Sequence, residues 1–173
     1  GKVCAIKEYT IEDENESVIN ALGEVLDKLI ERRDASLVEY LGSLRDASHF
    51  WVITSFCDGL SALDATMVTQ PYTEEQIRAV VFLTLQRVAE LHSAGLVHGS
   101  LKASNILLDS SAGVLLSDPA ELGRFKELYQ HFSPERIAGG INAPFHEPCD
   151  VWALGIAAIE MAHGVSPFLP LII

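Results

Sequence analysis

His98-Gly99-Ser100-Leu101-Lys102-Ala103-Ser104-Asn105 runs directly into Ile106-Leu107-Leu108. A loop carrying a hydroxyl, an ammonium and a carboxamide therefore ends on a short apolar strand. A second short strand, Val114–Ser117, follows the turn-rich segment Asp109-Ser110-Ser111-Ala112-Gly113. Upstream, Thr73 is a good helix N-cap and Gln76 completes a capping box. Ile77, Val81, Leu85, Val88 and Leu91 recur at helical spacing and predict a buried stripe, with Gly95 ending the helix. Downstream, Asp150 is read as opening the apolar helix Val151–Ala162, closed by Gly164. That helix is too short to span a bilayer, so it reads as a core helix.

Nearer the N-terminus, Val3 to Tyr9 reads as a strand. Its alternation places Val3, Ala5 and Lys7 on one face and Cys4 and Ile6 on the other. The acidic run Glu12-Asp13-Glu14-Asn15-Glu16 reads as a loop or helix entry. Val18, Leu22, Val25, Leu26 and Leu29 then mark an amphipathic helix that carries Glu24. Leu37–Leu44 and His49–Phe56 read as a hairpin turning at Arg45-Asp46-Ala47-Ser48. One strand, one helix, further strands and then mostly helices predict an α+β chain: a small sheet lobe joined to a larger helical lobe.

Bulk composition narrows the function classes. The chain has 173 residues, 49% apolar and 21% charged, enough for one domain with a core. A formal net charge of −12 argues against non-specific binding to nucleic acid or to an anionic membrane. Cys4, Cys57 and Cys149 are widely spaced and show no metal-ligand pattern, which fits a reduced, cytoplasmic protein and not a zinc site. No signal peptide or membrane-length apolar run is present. Gly1 and the final apolar run Phe168-Leu169-Pro170-Leu171-Ile172-Ile173 read as cut ends of a longer domain.

Motifs now fall in a familiar order. Val3-Cys4-Ala5-Ile6-Lys7 resembles the V-A-I-K strand, with Glu24 on the next helix. His98–Asn105 resembles the H-R-D-x-K-x-x-N catalytic loop. Asp118-Pro119-Ala120 sits where D-F-G belongs. Ser133-Pro134-Glu135 stands for A-P-E, and Asp150-Val151-Trp152-Ala153-Leu154-Gly155 resembles D-V-W-S-L-G. The chain resembles a eukaryotic protein kinase domain. Its detail is similar to the sterile-twenty-type and mitogen-activated kinase-kinase-like serine/threonine kinases, through Leu37–Ser43, Phe50–Ile53, Tyr72–Ile77 and Gly155–Ala162.

The resemblance implies a bilobal kinase fold, with a partial N-lobe at 1–57 and a partial C-lobe at 58–173. It also implies ATP and Mg²⁺ as ligands and other signalling proteins or kinases as partners. Lys7 would neutralise the α/β-phosphates and Glu24 would hold it by an ion pair. Ala5 and Leu107 would enclose the adenine ring, Thr54 would gate the pocket, and Ser55 to Cys57 would form the hinge. Asn105 and Asp118 would be the metal ligands, with Lys102 in the catalytic loop. Asp118 reads equally as a turn aspartate, because Asp-Pro commonly opens turns. Pro119 predicts extended backbone angles at Asp118.

The departures from the pattern are concentrated. Gly99 and Ser100 stand where Arg and the catalytic Asp belong, and a hydroxyl cannot replace a carboxylate as base. General-base contributions are about 10²–10⁴-fold. The segment between Asp118 and Glu135 is short and contains no Thr. Three functions stay open: a pseudokinase that regulates or scaffolds and still binds nucleotide, an active atypical serine/threonine kinase, and a paralogue without independent function.

Overall fold

The computed structural model describes residues 1–173 except 2, 13–15, 70, 112, 120–129, 141–143 and 169–173. Most of the acidic run 12–16, Ala120, the segment 120–129 and the apolar run 169–173 therefore lie outside the described residues. Strand β1 is Cys4–Thr10, helix α1 Glu16–Arg32, strand β2 Tyr40–Arg45 and strand β3 His49–Ser55. Helix α2 is Ala62–Thr69, α3 Glu74–Ser93, strand β4 Ile106–Leu108, β5 Val114–Leu116, helix α4 Pro134–Ala138 and α5 Glu147–His163. The three long strands form one antiparallel sheet in the order β1-β3-β2, and β4 pairs with β5 as a separate antiparallel hairpin. This is the expected α+β arrangement of a small sheet and helices.

Alternation in β1 sets the inner face. Ala5 and Tyr9 are half-buried while Cys4 and Ile6 are exposed. The register places Ala5 beside Thr54 and Lys7 beside Val52. Helix α1 covers this face with Ile19, Leu22, Leu26 and Leu29, and these meet Tyr40, Phe50 and Val52 in the core. The turn after α1 is stitched to β5: Val38 N–H donates to Leu116 O at 2.8 Å and Leu116 N–H donates to Ser36 O at 3.0 Å. Ser36 Oγ also donates to Glu90 Oε2 on α3 at 2.8 Å. The sheet is thus tied to the helical part by a buried serine.

Helix α3 begins as its sequence dictates. Thr73 Oγ1 accepts from Gln76 N and Gln76 Oε1 accepts from Thr73 N, so the capping box is formed. Gly95, at φ +74, follows the helix end. The buried stripe is rotated from the expected one. Val80, Thr84, Val88 and Leu91 are buried, Ile77 and Val81 are partly covered, and Leu85 is 41% exposed. Both stripes have helical period. Contact with α5 and β5 selects the one centred on Thr84, and sequence alone could not.

Helix α5 starts at Glu147, three residues before the expected Asp150. Pro148 sits in its first turn, where a missing N–H costs no helix bond. One face is not core: Val151, Trp152 and Ile159 are 57%, 41% and 40% exposed. Two short helices, α2 and α4, were not anticipated. A local signal for α2 was present in Ser61-Ala62-Leu63-Asp64, since Asp64 N–H donates to Ser61 Oγ at 3.0 Å. Gly59 before it lies against β4. A Cβ there would come within 2.5 Å of Leu108 O, so the close approach requires glycine.

Candidate nucleotide site

Lys7 leaves the inner face of β1 and reaches across to the residue after β5. Its Nζ lies 3.0 Å from Asp118 Oδ2, with both side chains partly exposed. The same ammonium sits 5.3 Å from the centroid of the Tyr9 ring. Burial works against the charged form of Lys7, but Asp118 and Tyr9 outweigh it and the pKa is raised. The ion pair expected with Glu24 does not form. Glu24 lies on the exposed face of α1, because the helix turns Leu22 and Leu26 inward. Among the described residues the carboxylate that meets Lys7 is Asp118.

Asp118 also departs from expectation in its backbone. Its φ is +53, in the left-handed region, and not extended. Asp is among the few residue types that visit this region at modest cost. The tertiary contacts over-determine it. Its carboxylate is held by Lys7, and its N–H donates to the hydroxyl of Tyr40 at 3.2 Å. Burial pushes the Tyr40 hydroxyl pKa upward, so it stays protonated.

The loop 98–105 is built from below by two acids on α5. Asp150 is fully buried and accepts from His98 N at 2.9 Å and Gly99 N at 2.7 Å. His92 Nε2, at the end of α3, adds a third contact to Asp150 at 2.8 Å. Gly99 takes φ +68 in this cradle, a conformation glycine adopts without strain. One helical stretch further on, Glu160 Oε2 accepts from Ala103 N at 2.9 Å. Its other oxygen lies 2.9 Å from His131 Nε2. The sequence held no cue for the His92 and His131 pairings.

His98 is a packing residue, as expected. It is buried, with Nε2 3.0 Å from Ser117 O and Nδ1 3.3 Å from Ser100 N. A carbonyl can only accept and an amide can only donate, so Nε2 carries the proton and the ring is neutral. Burial lowers its pKa accordingly. Ser100 is 6% exposed, and Asn105 Nδ2 donates to its carbonyl at 2.8 Å and to its Oγ at 3.3 Å. Its hydroxyl is thus an acceptor inside the loop. Lys102 is half-buried at the start of the 3₁₀ turn Ala103–Asn105.

Asn105 and Asp118 are brought near through Ser117, whose N–H donates to Asn105 O at 3.0 Å. Since Nδ2 of Asn105 is spent on Ser100, its Oδ1 is the atom left for a cation. Asp118 keeps its second carboxylate oxygen clear of ion pairs among the described residues. Two hard oxygen donors of this kind fit Mg²⁺ bridging phosphates.

Along the sheet edge, Ala5 and Thr54 are register partners and Ser55 follows directly. Ser55 N–H is committed to Glu39 O at 2.8 Å. The Cys57 thiol donates to Leu108 O at 2.8 Å, and burial raises its pKa. Leu107 bridges to Ser61 and faces Leu115 across the β4–β5 hairpin. Residues missed by sequence reasoning are Tyr9, Tyr40, His92, His131 and Glu160. Tyr9 alone had a signal, two residues from Lys7 on the same strand face.

Comparison with known proteins agrees with this layout. The protein kinase domain family matches residues 1–170. Mitogen-activated protein kinase kinase kinase kinase 3 of Rattus norvegicus is 32% identical over 99% of this chain and 20% of its own length. Serine/threonine-protein kinase 1 of Arabidopsis thaliana is 32% identical over 96% of this chain and 21% of its own. Serine/threonine-protein kinase dst1 of Dictyostelium discoideum is 30% identical over 96% and 23% respectively. The chain thus spans about a fifth of the length of these relatives. Among the described residues no helix is long and apolar enough to cross a membrane. With the family match covering nearly its whole length, the chain belongs to the protein kinase domain family.

Proposed function

We propose that this chain is a pseudokinase domain that binds ATP and regulates or scaffolds other signalling proteins in the cytoplasm. In this reading residues 1–57 belong to the N-lobe and 58–173 to the C-lobe. Lys7 takes the phosphates, and Ala5, Thr54, Ser55, Cys57 and Leu107 border the adenine. Asn105 and Asp118 hold Mg²⁺, which supplies charge neutralisation between the phosphates when bound. Glu24 has no direct part, because its carboxylate is turned to solvent.

One observation carries the reading. The base position holds Ser100, whose hydroxyl is buried and receives Asn105 Nδ2 at 3.3 Å. A group that accepts a hydrogen bond and has no basic oxygen cannot take a substrate proton. The phosphate side, by contrast, keeps an ammonium and a carboxylate 3.0 Å apart. Calorimetric titration of the chain with Mg·ATP tests the first half, and transfer of labelled γ-phosphate to a generic protein substrate tests the second. Binding without transfer supports the proposal.

A second reading is an active atypical serine/threonine kinase. It is favoured by the survival of Lys7, Lys102, Asn105 and Asp118 together. Transfer that is lost in Lys7→Ala would establish it.

A further inference from the structure

A cavity of about 290 Å³ opens between the end of α1, the start of β2, the end of β3 and β5. It lies away from the loop 98–105. Its walls are Leu37, Val38, Tyr40 and Leu115, and the first three are buried against the core. Arg33 and Ser55 stand at its rim. The volume falls at the lower end of small-molecule sites, enough for one or two rings. Rim charge does not select an ion. Arg33 shares the lining with the acidic residues Asp34 and Glu39, and Asp34 Oδ1 already accepts from Ser36 N at 2.9 Å. An apolar body fills such a space best, because its walls gain contact and no polar group is stranded.

The wall reaches the nucleotide site through one residue. Tyr40 lines the cavity, and its hydroxyl accepts the Asp118 N–H at 3.2 Å. Asp118 has a left-handed φ, +53, that this contact helps to fix. A ligand that shifts the ring shifts the hydroxyl, and the hydroxyl is bonded to the backbone that carries the Lys7 partner. Ser55, where β3 ends, borders the same cavity.

We propose that this cavity is a second ligand site, for a neutral one- or two-ring molecule, coupled to Asp118 through the Tyr40 hydroxyl. The site exists whether or not the nucleotide reading holds, since its test follows amide signals and needs no nucleotide. Indole is the probe, titrated into the isotope-labelled chain by two-dimensional amide NMR. Saturable shifts are expected at Leu37, Val38, Tyr40, Ser55 and Leu115, and at Asp118. Ala35 is exposed at the mouth, so Ala35→Trp folds normally and should weaken indole at least about tenfold, or about 1.4 kcal/mol. Tyr40→Phe should keep binding within about threefold and remove the Asp118 shift. Indole-3-acetate should bind several-fold more weakly than indole. Unchanged affinity in Ala35→Trp overturns the site. An Asp118 shift that persists in Tyr40→Phe overturns the coupling, and tighter binding of indole-3-acetate overturns the neutral ligand class.

Discussion

The corner around Lys7 and Asp118 and the loop around Ser100 lie on either side of Ser117, and they differ in what their polar groups are left to do. At the corner, opposite charges meet at 3.0 Å with both side chains partly open to solvent. A partly exposed pair of this kind is worth about 0.2–1 kcal/mol, so an incoming phosphate or cation can part it cheaply. In the loop most of the buried polar groups are already used, and Asn105 keeps only its Oδ1. Asp150, Glu160, His98 and Asn105 are buried, and each is bonded to backbone. In the proposed function the first region receives the ligand. The second is arranged to be a fixed floor, and its base position contributes a hydroxyl to that floor.

The largest effect should come from breaking the floor. Asp150→Ala strands the amides of His98 and Gly99 and the His92 ring. Loss of about 3–5 kcal/mol is expected, as for removal of one partner from a buried charged network. Urea denaturation should show a collapsed midpoint or no cooperative transition at all. Lys7→Met attacks the other region and should leave stability within about 1 kcal/mol. Its nucleotide affinity, measured by calorimetry, should fall at least about tenfold, or 1.4 kcal/mol. If Lys7→Met were the less folded variant and Asp150→Ala the weaker binder of nucleotide, the contrast between the two regions would be wrong.

Acidity probes the floor without mutation. His98 is buried neutral and its folded pKa is lowered. The unfolded chain therefore binds more protons, with a histidine pKa near about 6.5. The stability contributed is present above that value and is lost as pH falls through it toward the folded pKa. Thermal melts between pH 7.5 and 5 should show falling midpoints, and His98→Gln should flatten the dependence.

The smaller effects sharpen the boundaries. Thr73→Ala removes the cap of α3 and should cost about 1 kcal/mol in denaturant titration, with nucleotide binding unchanged. Glu24→Ala should do least, within about 0.5 kcal/mol of stability and with no change in nucleotide affinity. A tenfold loss of affinity in Glu24→Ala would restore the ion pair with Lys7 that the fold has replaced by Asp118.

Local rules made much of this fold readable. The Thr73–Gln76 capping box, the alternation in β1, the hairpin before Ser55 and the β4–β5 pair all follow from residues close in sequence. Lys7, Asn105 and Asp118 are singled out by the resemblance to the kinase motifs. What escaped depends on distant partners. Whether α3 buries Leu85 or Thr84 is decided by α5. Whether Lys7 meets Glu24 or Asp118 depends on which face of α1 packs inward, and Glu24 is on the exposed one. The left-handed Asp118 opposes the bias imposed by Pro119, and the Tyr40 hydroxyl, 78 positions away in sequence, helps to hold it. His131 and Glu160 are likewise joined only in three dimensions.

The most direct test combines two readings on one sample: calorimetric binding of Mg·ATP by the chain and by Asp118→Asn, and transfer of γ-phosphate from the same nucleotide. Magnesium-dependent binding that Asp118→Asn weakens, with no transfer from either protein, is the predicted result. Transfer by the unmodified chain that disappears in Lys7→Ala would contradict it.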